Sequence, residues 1–245
     1  MYQWLETLRQ KWQTVPMNVH GERLSSVELL RFSPEQLAAH WTEVRDADGA
    51  YDLRGWYHEL YREFMRGKKV LDVGCGFGIS SITFAQFGAR VTFADIVETN
   101  VLLCQKVCKG LGIKAEFAVI NSLDDLKSLP SDFDAITAIG SLHNAPFDFL
   151  KAETAELVKH LKIGGRWLQF AYPVSRWQRE GCLAFDKWGD VTDGGSPWQE
   201  PYDLPRLLRL LDPAKFIPIF YYEWHNQDFN WFDLKLIESN PAANT

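Results

Sequence analysis

The chain has 245 residues, 46% of them apolar and 24% charged, and a formal net charge of −6. That is an ordinary globular composition, long enough to bury one sizeable core. The acidic balance, with no basic run longer than Lys68-Lys69, disfavours a nucleic-acid partner, and no stretch of about 18 apolar residues predicts a membrane span.

The N-terminal "MYQWLETLRQKW" has no apolar signal core, because Glu6 interrupts it. Residues 1–66 read as helical. Ser33-Pro34-Glu35-Gln36 has the form of a helix start, with Ser33 as N-cap, Pro34 in the first turn and Gln36 placed for a capping box. Trp56, Tyr57, Leu60, Tyr61 and Phe64 then recur at helical spacing as one apolar stripe, and Gly67 ends the helix.

From Lys68 the pattern alternates. "KVLDV" is a strand, "ISSITFAQFG" a helix, "ARVTFAD" a strand and "ETNVLLCQKVCKGLG" a helix. "AEFAVI" is the third strand, followed by a short helix over 124–129 and a fourth strand, "FDAITAIG". "DFLKAETAELVKHL" and "GGRWLQFAYP" supply the next helix and strand. This order predicts an α/β fold, a parallel sheet with helices on both faces. Residues 175–202 carry turn residues and aromatics without a period. So long a connection at a strand's C-terminal end is expected to be a substrate-side insert. "DLPRLLRLL" is a helix, and "KFIPIFYYEWHNQDFNWFDLKLIE" reads as two strands joined near His225–Asp228. The last strand is therefore reversed, in a sheet of seven. The expected organisation is a helical segment over 1–66 and a sheet domain over 67–245.

Cys75, Cys104, Cys108 and Cys182 have the spacing of neither a disulfide framework nor a zinc site. They read as small buried residues in a reducing compartment, which points to the cytoplasm and to no metal.

The chemistry centres on Asp72-Val73-Gly74-Cys75-Gly76-Phe77-Gly78, at the end of the first strand of the alternation. Glycine turns of this kind bring backbone N–H groups close to a ligand, either a dinucleotide pyrophosphate or a sulfonium nucleoside. A dinucleotide fingerprint places its third small residue at position 79, where this chain has Ile79. Asp72 would repel a pyrophosphate and suits a cation.

With those residues, the chain resembles the class I S-adenosylmethionine-dependent methyltransferases. The D-x-G-x-G-x-G turn is similar to that family's first motif. Asp95 closes the second strand, at the place of the family's acid for the ribose hydroxyls, and Ile96 matches the residue packed on adenine. Asn121-Ser122 ends the third strand near the position of the adenine amino group. "FDAITAIGSLHN" and "LKIGGRWL" are similar to the fourth-strand motif and to the motif before the fifth strand, with Ile163 in place of proline. The resemblance implies a Rossmann-like sheet, S-adenosylmethionine as cofactor and helices of 1–66 as a lid. It implies cofactor contacts at Asp72, Gly74, Cys75, Gly76, Gly78, Asp95, Ile96, Asn121, Ser122 and Gly140. Beside the resemblance, Trp56 and Tyr57 are candidates for the methionine end and Arg45 or Arg54 for its carboxylate, with a core stripe and a surface arginine as the alternatives.

The acceptor implied is a small molecule, with a hydroxyl of a sugar or secondary metabolite as the expectation. Trp177, Trp188 and Trp198 would offer faces for stacking on a ring. His143, just after the fourth strand, is the candidate catalytic base; pocket wall and purely structural residue are its alternatives. His225 with Tyr221, Tyr222 and Trp224 forms a second polar-aromatic candidate. "HNAPF" is also similar to the N-P-P-F/Y motif of amino-group methyltransferases, displaced by four residues and with Ala145 for the first proline. Two further readings stay open: a nicotinamide-dependent oxidoreductase, and a cofactor-binding regulator without catalysis.

Overall fold

The computed structural model describes residues 2–13, 17–19, 22–192 and 195–239. The N-terminal segment holds α1 (Tyr2–Trp12), a hairpin of β1 (Met17–Val19) and β2 (Glu22–Leu24), α2 (Ser26–Leu29), α3 (Pro34–Arg45) and α4 (Trp56–Met65). The alternating part runs β3 (Lys69–Val73), α5 (Ile79–Gln86), β4 (Arg90–Asp95), α6 (Glu98–Leu111) and β5 (Glu116–Val119). It continues with α7 (Leu123–Leu126), β6 (Phe133–Ile139), α8 (Phe147–Val158) and β7 (Leu161–Ala171). Then come α9 (Val174–Arg179), α10 (Phe185–Trp188), α11 (Leu204–Leu211), β8 (Lys215–Trp224) and β9 (Phe229–Glu238).

The seven strands of the main sheet are ordered β5-β4-β3-β6-β7-β9-β8. The chain divides into two compact units, one over Arg9–Ile120 and the other holding the residues up to Leu8 and from Asn121 onward.

In the first unit β3 pairs in parallel with β4, and β4 with β5. β3 and β4 are buried from Val70 to Val73 and from Val91 to Asp95, as expected of strands covered on both faces. The helix start read at Ser33 is present in full. Gln36 N–H donates to the Ser33 hydroxyl at 3.2 Å, and Ser33 N–H donates to the Gln36 side chain at 2.8 Å. The stripe on α4 differs from its expectation. Tyr57, His58, Tyr61 and Met65 are the buried face, while Leu60 is 55% exposed. The helical expectation for 1–66 also missed the β1–β2 hairpin, which has too few residues for a strand period to register.

In the second unit β6 and β7 are parallel, and β9 runs antiparallel to both β7 and β8. The reversal expected of the last strand is therefore present. A bidentate pair pins it: Arg166 on β7 donates to both carboxylate oxygens of Asp233 on β9, each at 2.6 Å, and Asp233 is buried. β8 lies at the sheet edge, the place in a sheet where a proline such as Pro218 is tolerated. The insert contains α9 and α10, which the aperiodic sequence did not indicate; its residues 193–194 lie outside the described ones.

Removing the Asp233 carboxylate leaves Arg166 without its bidentate partner in a half-buried position. Asp233→Ala is expected to lower stability by roughly 3–5 kcal/mol, measured by urea denaturation followed by circular dichroism. A loss below about 1 kcal/mol would mean that solvent already screens the pair.

Candidate functional site

The glycine turn leaves β3 with Gly74, Gly76 and Gly78 all at positive φ (70°, 51° and 68°), a region that side chains with a Cβ rarely adopt. The N–H groups of Gly74 and Cys75 donate to Ala94 O at 2.8 and 3.2 Å, so the turn is tied to the end of β4. Gly76 and Gly78 do different work. A Cβ on Gly78 would meet Cys104 Sγ and Ile82 Cδ1 at 2.9 Å, whereas one on Gly76 would meet nothing within 4 Å. Gly78 allows α5 and α6 to approach, and Gly76 leaves backbone open on the side a ligand would use.

Asp95 ends β4 and is 6% exposed. Its Oδ2 accepts from Gly76 N–H at 2.9 Å and from the Asn100 amide at 3.3 Å; its Oδ1 accepts from Val97 N–H at 2.8 Å. Asp95 is not the N-cap of α6, which is Val97, but it binds that residue's N–H. Burial pushes its carboxyl above the usual range, and the donors from Gly76, Val97 and Asn100 oppose that shift, together with the nearby Cys75 thiol. Ile96 is half-buried, and its carbonyl accepts from Arg9 Nε at 2.9 Å. Asp72 is buried on β3, and its charge is felt at Tyr57, Cys75 and Cys104. The Cys75 and Cys104 sulfurs lie 3.7 Å apart, and burial raises the pKa of both thiols.

A polar group that sequence reasoning missed lies at the start of α5. The Ser80 hydroxyl is 3.0 Å from both the Tyr57 hydroxyl and His58 Nε2. The signal was the spacing of Tyr57, His58, Tyr61 and Met65, which puts His58 on the inner face of α4. Burial, followed by the Arg54 charge, pushes the His58 imidazole down to about 3, so it is neutral at physiological pH. Trp56 stands edge-on to Tyr57 at 5.3 Å. The two candidate arginines differ sharply. Arg45 is engaged by Asp46 (2.6 and 2.5 Å) and by Gln86 (2.8 Å). Half-buried Arg54 has no hydrogen-bond or ion-pair partner among the described residues, and its charge falls on Tyr57 and His58.

In the second unit Asn121 is exposed, and the N–H groups of Asn121 and Ser122 both donate to Asp125, which closes the start of α7. Gly140 follows β6 at φ 69°, and its N–H donates to Phe170 O at 3.2 Å. His143 is 1% exposed and stacks on Tyr172, with ring centroids 5.2 Å apart and planes 10° apart. Preceding it, Leu142 takes a positive φ of 50°, unusual for a branched side chain. The insert is built onto this loop. Glu200 N–H donates to His143 O at 2.7 Å, and the Tyr202 hydroxyl donates to Leu142 O at 3.1 Å. The Asn144 amide donates to Ser196 Oγ and Gln199 Oε1.

The tryptophans of the insert are largely committed. Trp188 is fully buried, with its N–H on Glu180, which overturns its expected role as a stacking face. Trp177 donates to Leu183 O and Trp198 to Glu200. The second aromatic candidate does not gather into one cluster. His225 is exposed at the hairpin tip, Tyr222 points outward, Trp224 is buried and Tyr221 bonds Glu223. Among the described residues no group of three or more His, Cys, Asp or Glu side chains could hold a metal ion, and no helix is long and apolar enough to cross a membrane.

Residues 70–165 match a family model described as a methyltransferase domain. The chain is 32% identical over 198 residues to a ubiquinone biosynthesis O-methyltransferase of Idiomarina loihiensis, covering 76% of this chain and 78% of that one. The chain belongs to the class I S-adenosylmethionine-dependent methyltransferases. A Bordetella parapertussis protein of the same name is 30% identical, over 62% of each chain, and the match to one from Pseudomonas entomophila spans 52% of that protein. Among solved structures, a Pyrococcus horikoshii protein superposes with a TM-score of 0.60 at 18% identity, covering 78% of this chain and 92% of its own. A magnesium protoporphyrin IX methyltransferase from Synechocystis with bound SAH gives 0.55 at 18% identity, covering 83% and 95%. The cofactor of this methyltransferase family is S-adenosylmethionine, and the observed residues suit it: open backbone at Gly76, an acid at Asp95 and an uncommitted guanidinium at Arg54.

The depressed His58 pKa fixes a sign for stability. Below pH 6.5 the unfolded chain takes up a proton at His58 that the folded site refuses until about pH 3. This residue's contribution is therefore complete above 6.5 and is lost as pH falls, at up to about 1.4 kcal/mol per pH unit. His58→Gln is expected to flatten that part of the pH profile in urea denaturation between pH 7 and 5; an unchanged slope would show that His58 is hydrated.

Proposed function

We propose that the protein methylates a hydroxyl group of a small ring-bearing molecule. The observation that carries the reading is the junction of Gly76 and Asp95, where open backbone meets a buried carboxylate. The names of the relatives support oxygen as the accepting atom, and the ring class extends the expectation of a sugar or secondary metabolite to a phenol-like acceptor. The committed Asn144 amide argues against the amino-group reading of "HNAPF". Ile79, with no room for a third glycine's role, argues against a nicotinamide cofactor.

When bound, S-adenosylmethionine supplies an activated methyl group on a sulfonium leaving group. The backbone of Gly74, Cys75, Gly76 and Gly78 cradles its amino-acid part, and Asp72 places negative charge near the cationic end. Asp95 accepts from the ribose, and Ile96 packs on the adenine. Arg54, rather than Arg45, pairs with the methionine carboxylate, with Trp56 and Tyr57 as its walls. The protein's contribution to rate is alignment of the acceptor and exclusion of water. His143, held face to face with Tyr172, serves as a wall that orients the acceptor. The helices of 1–66 act as the cover of the cofactor, and the insert at 175–202 sets acceptor choice.

Asp95→Ala and Arg54→Ala are each expected to weaken S-adenosylhomocysteine binding by roughly 1.5–3 kcal/mol in calorimetry, with Arg45→Ala near neutral. Equal effects at the two arginines would remove the assignment. For His143→Ala the expected result is a rise in acceptor KM, a loss of turnover below about tenfold and an unchanged pH profile. A loss of about 10²–10⁴ with a missing acid limb would make His143 the general base. Cofactor binding with no turnover on any phenolic or sugar acceptor would favour a regulator.

A further inference from the structure

Asn100 and Ser26 lie outside every motif of the glycine turn, yet they form a buried line that ends on Asp95. Ser26, on α2, is 4% exposed, and its hydroxyl donates to Asn100 Oδ1 at 3.0 Å. Asn100, on α6, is 8% exposed, and its Nδ2 donates to Asp95 Oδ2 at 3.3 Å. The two contacts fix the amide's orientation. With the Ser26 hydroxyl on the oxygen, only the NH₂ group faces the carboxylate.

Asp95 depends on such donors. It is a buried acid whose desolvation favours the protonated form, and a protonated carboxyl would offer one acceptor fewer to a ribose. Gly76 and Val97 supply backbone N–H groups, which hold the acid to the turn and to the start of α6. The third donor is a side chain, so it can be removed without rebuilding either element. Oδ2 carries two donors and Oδ1 carries one. A carboxylate has about four acceptor positions, so the one left lies on Oδ1. The Asn100 amide thus keeps Oδ2 occupied and leaves Oδ1 the oxygen with fewer N–H donors.

We infer that Asn100, braced by Ser26, is a positioning residue for the ribose acid. The inference rests on the reading of Asp95 as the group that accepts from the cofactor ribose. It adds that α2, remote in sequence from the glycine turn, contributes to cofactor affinity through one hydroxyl.

The test compares two ligands by calorimetry: S-adenosylhomocysteine and its analogue lacking both ribose hydroxyls. Asn100→Ala is expected to weaken S-adenosylhomocysteine about tenfold, the scale of one hydrogen bond to a charged group, and the dideoxy analogue less than about twofold. Ser26→Ala should show the same ligand dependence with a smaller loss. It carries the comparison if Asn100→Ala does not fold. Equal losses for both ligands would make the line purely structural, and unchanged affinities would overturn it. If the wild-type protein binds both ligands equally well, the reading of Asp95 fails instead, a result distinct from either of those.

Discussion

A carboxylate taken out of water costs several kcal/mol unless donors converge on it, and Asp95 gathers three N–H groups within 3.3 Å. Two come from backbone: the middle of the glycine turn, which Gly74 and Cys75 also tie to Ala94 O, and the residue that opens α6. The acid therefore determines where the turn sits relative to the second helix. Cys104 on α6 reinforces this, with its Sγ 3.4 Å from Gly76 O and packed where a Cβ on Gly78 would stand. The turn is open on the Gly76 side and closed on the Gly78 side because of these neighbours. A cofactor seat with one open face follows from packing on the other.

Much of this was legible before any coordinates. Strand–helix alternation, the Ser33–Gln36 capping box, the glycine turn, Asp95 and the reversed last strand all rest on local patterns. They are set by a single period, a cap or a turn, and local patterns survive in one dimension. What was not legible joins distant segments. The Ser26–Asn100–Asp95 line spans 74 residues at its first step. His58 meets Ser80 across 22. α9 and α10 have no period to read because side-chain anchors hold them, Trp177 on Leu183 O and Trp188 on Glu180. The choice between Arg45 and Arg54 stands between these cases. Asp46 adjoins Arg45 in sequence, a local signal that the sequence reading leaves unused when it keeps both arginines open.

The second unit solves a different problem. The segment after β6 turns at Gly140 and Leu142, both at positive φ; glycine adopts that region freely, but for Leu142 such backbone persists only where its surroundings over-determine it. The insert supplies that determination. Carbonyls of Leu142 and His143 and the amide of Asn144 are each bonded to residues between Ser196 and Tyr202. His143 is then fixed a second time through its ring, between the loop that carries it and Tyr172 at the end of β7.

That double attachment constrains how acceptor choice could change in this chain. An insert that hung free from its two ends could vary without disturbing the residues beneath it. Here Glu200 donates its backbone N–H to His143 O and offers its carboxylate to Trp198 and Arg206, while Arg206 lies over the rings of Phe147 and Phe185. A substitution in the insert therefore acts on the His143 loop through hydrogen bonds, whether or not it touches an acceptor. Residues so connected do not contribute additively. In the proposed function, exchanging the insert for a relative's would require the 140–144 loop and Tyr172 to be exchanged with it, because the three form one packed wall.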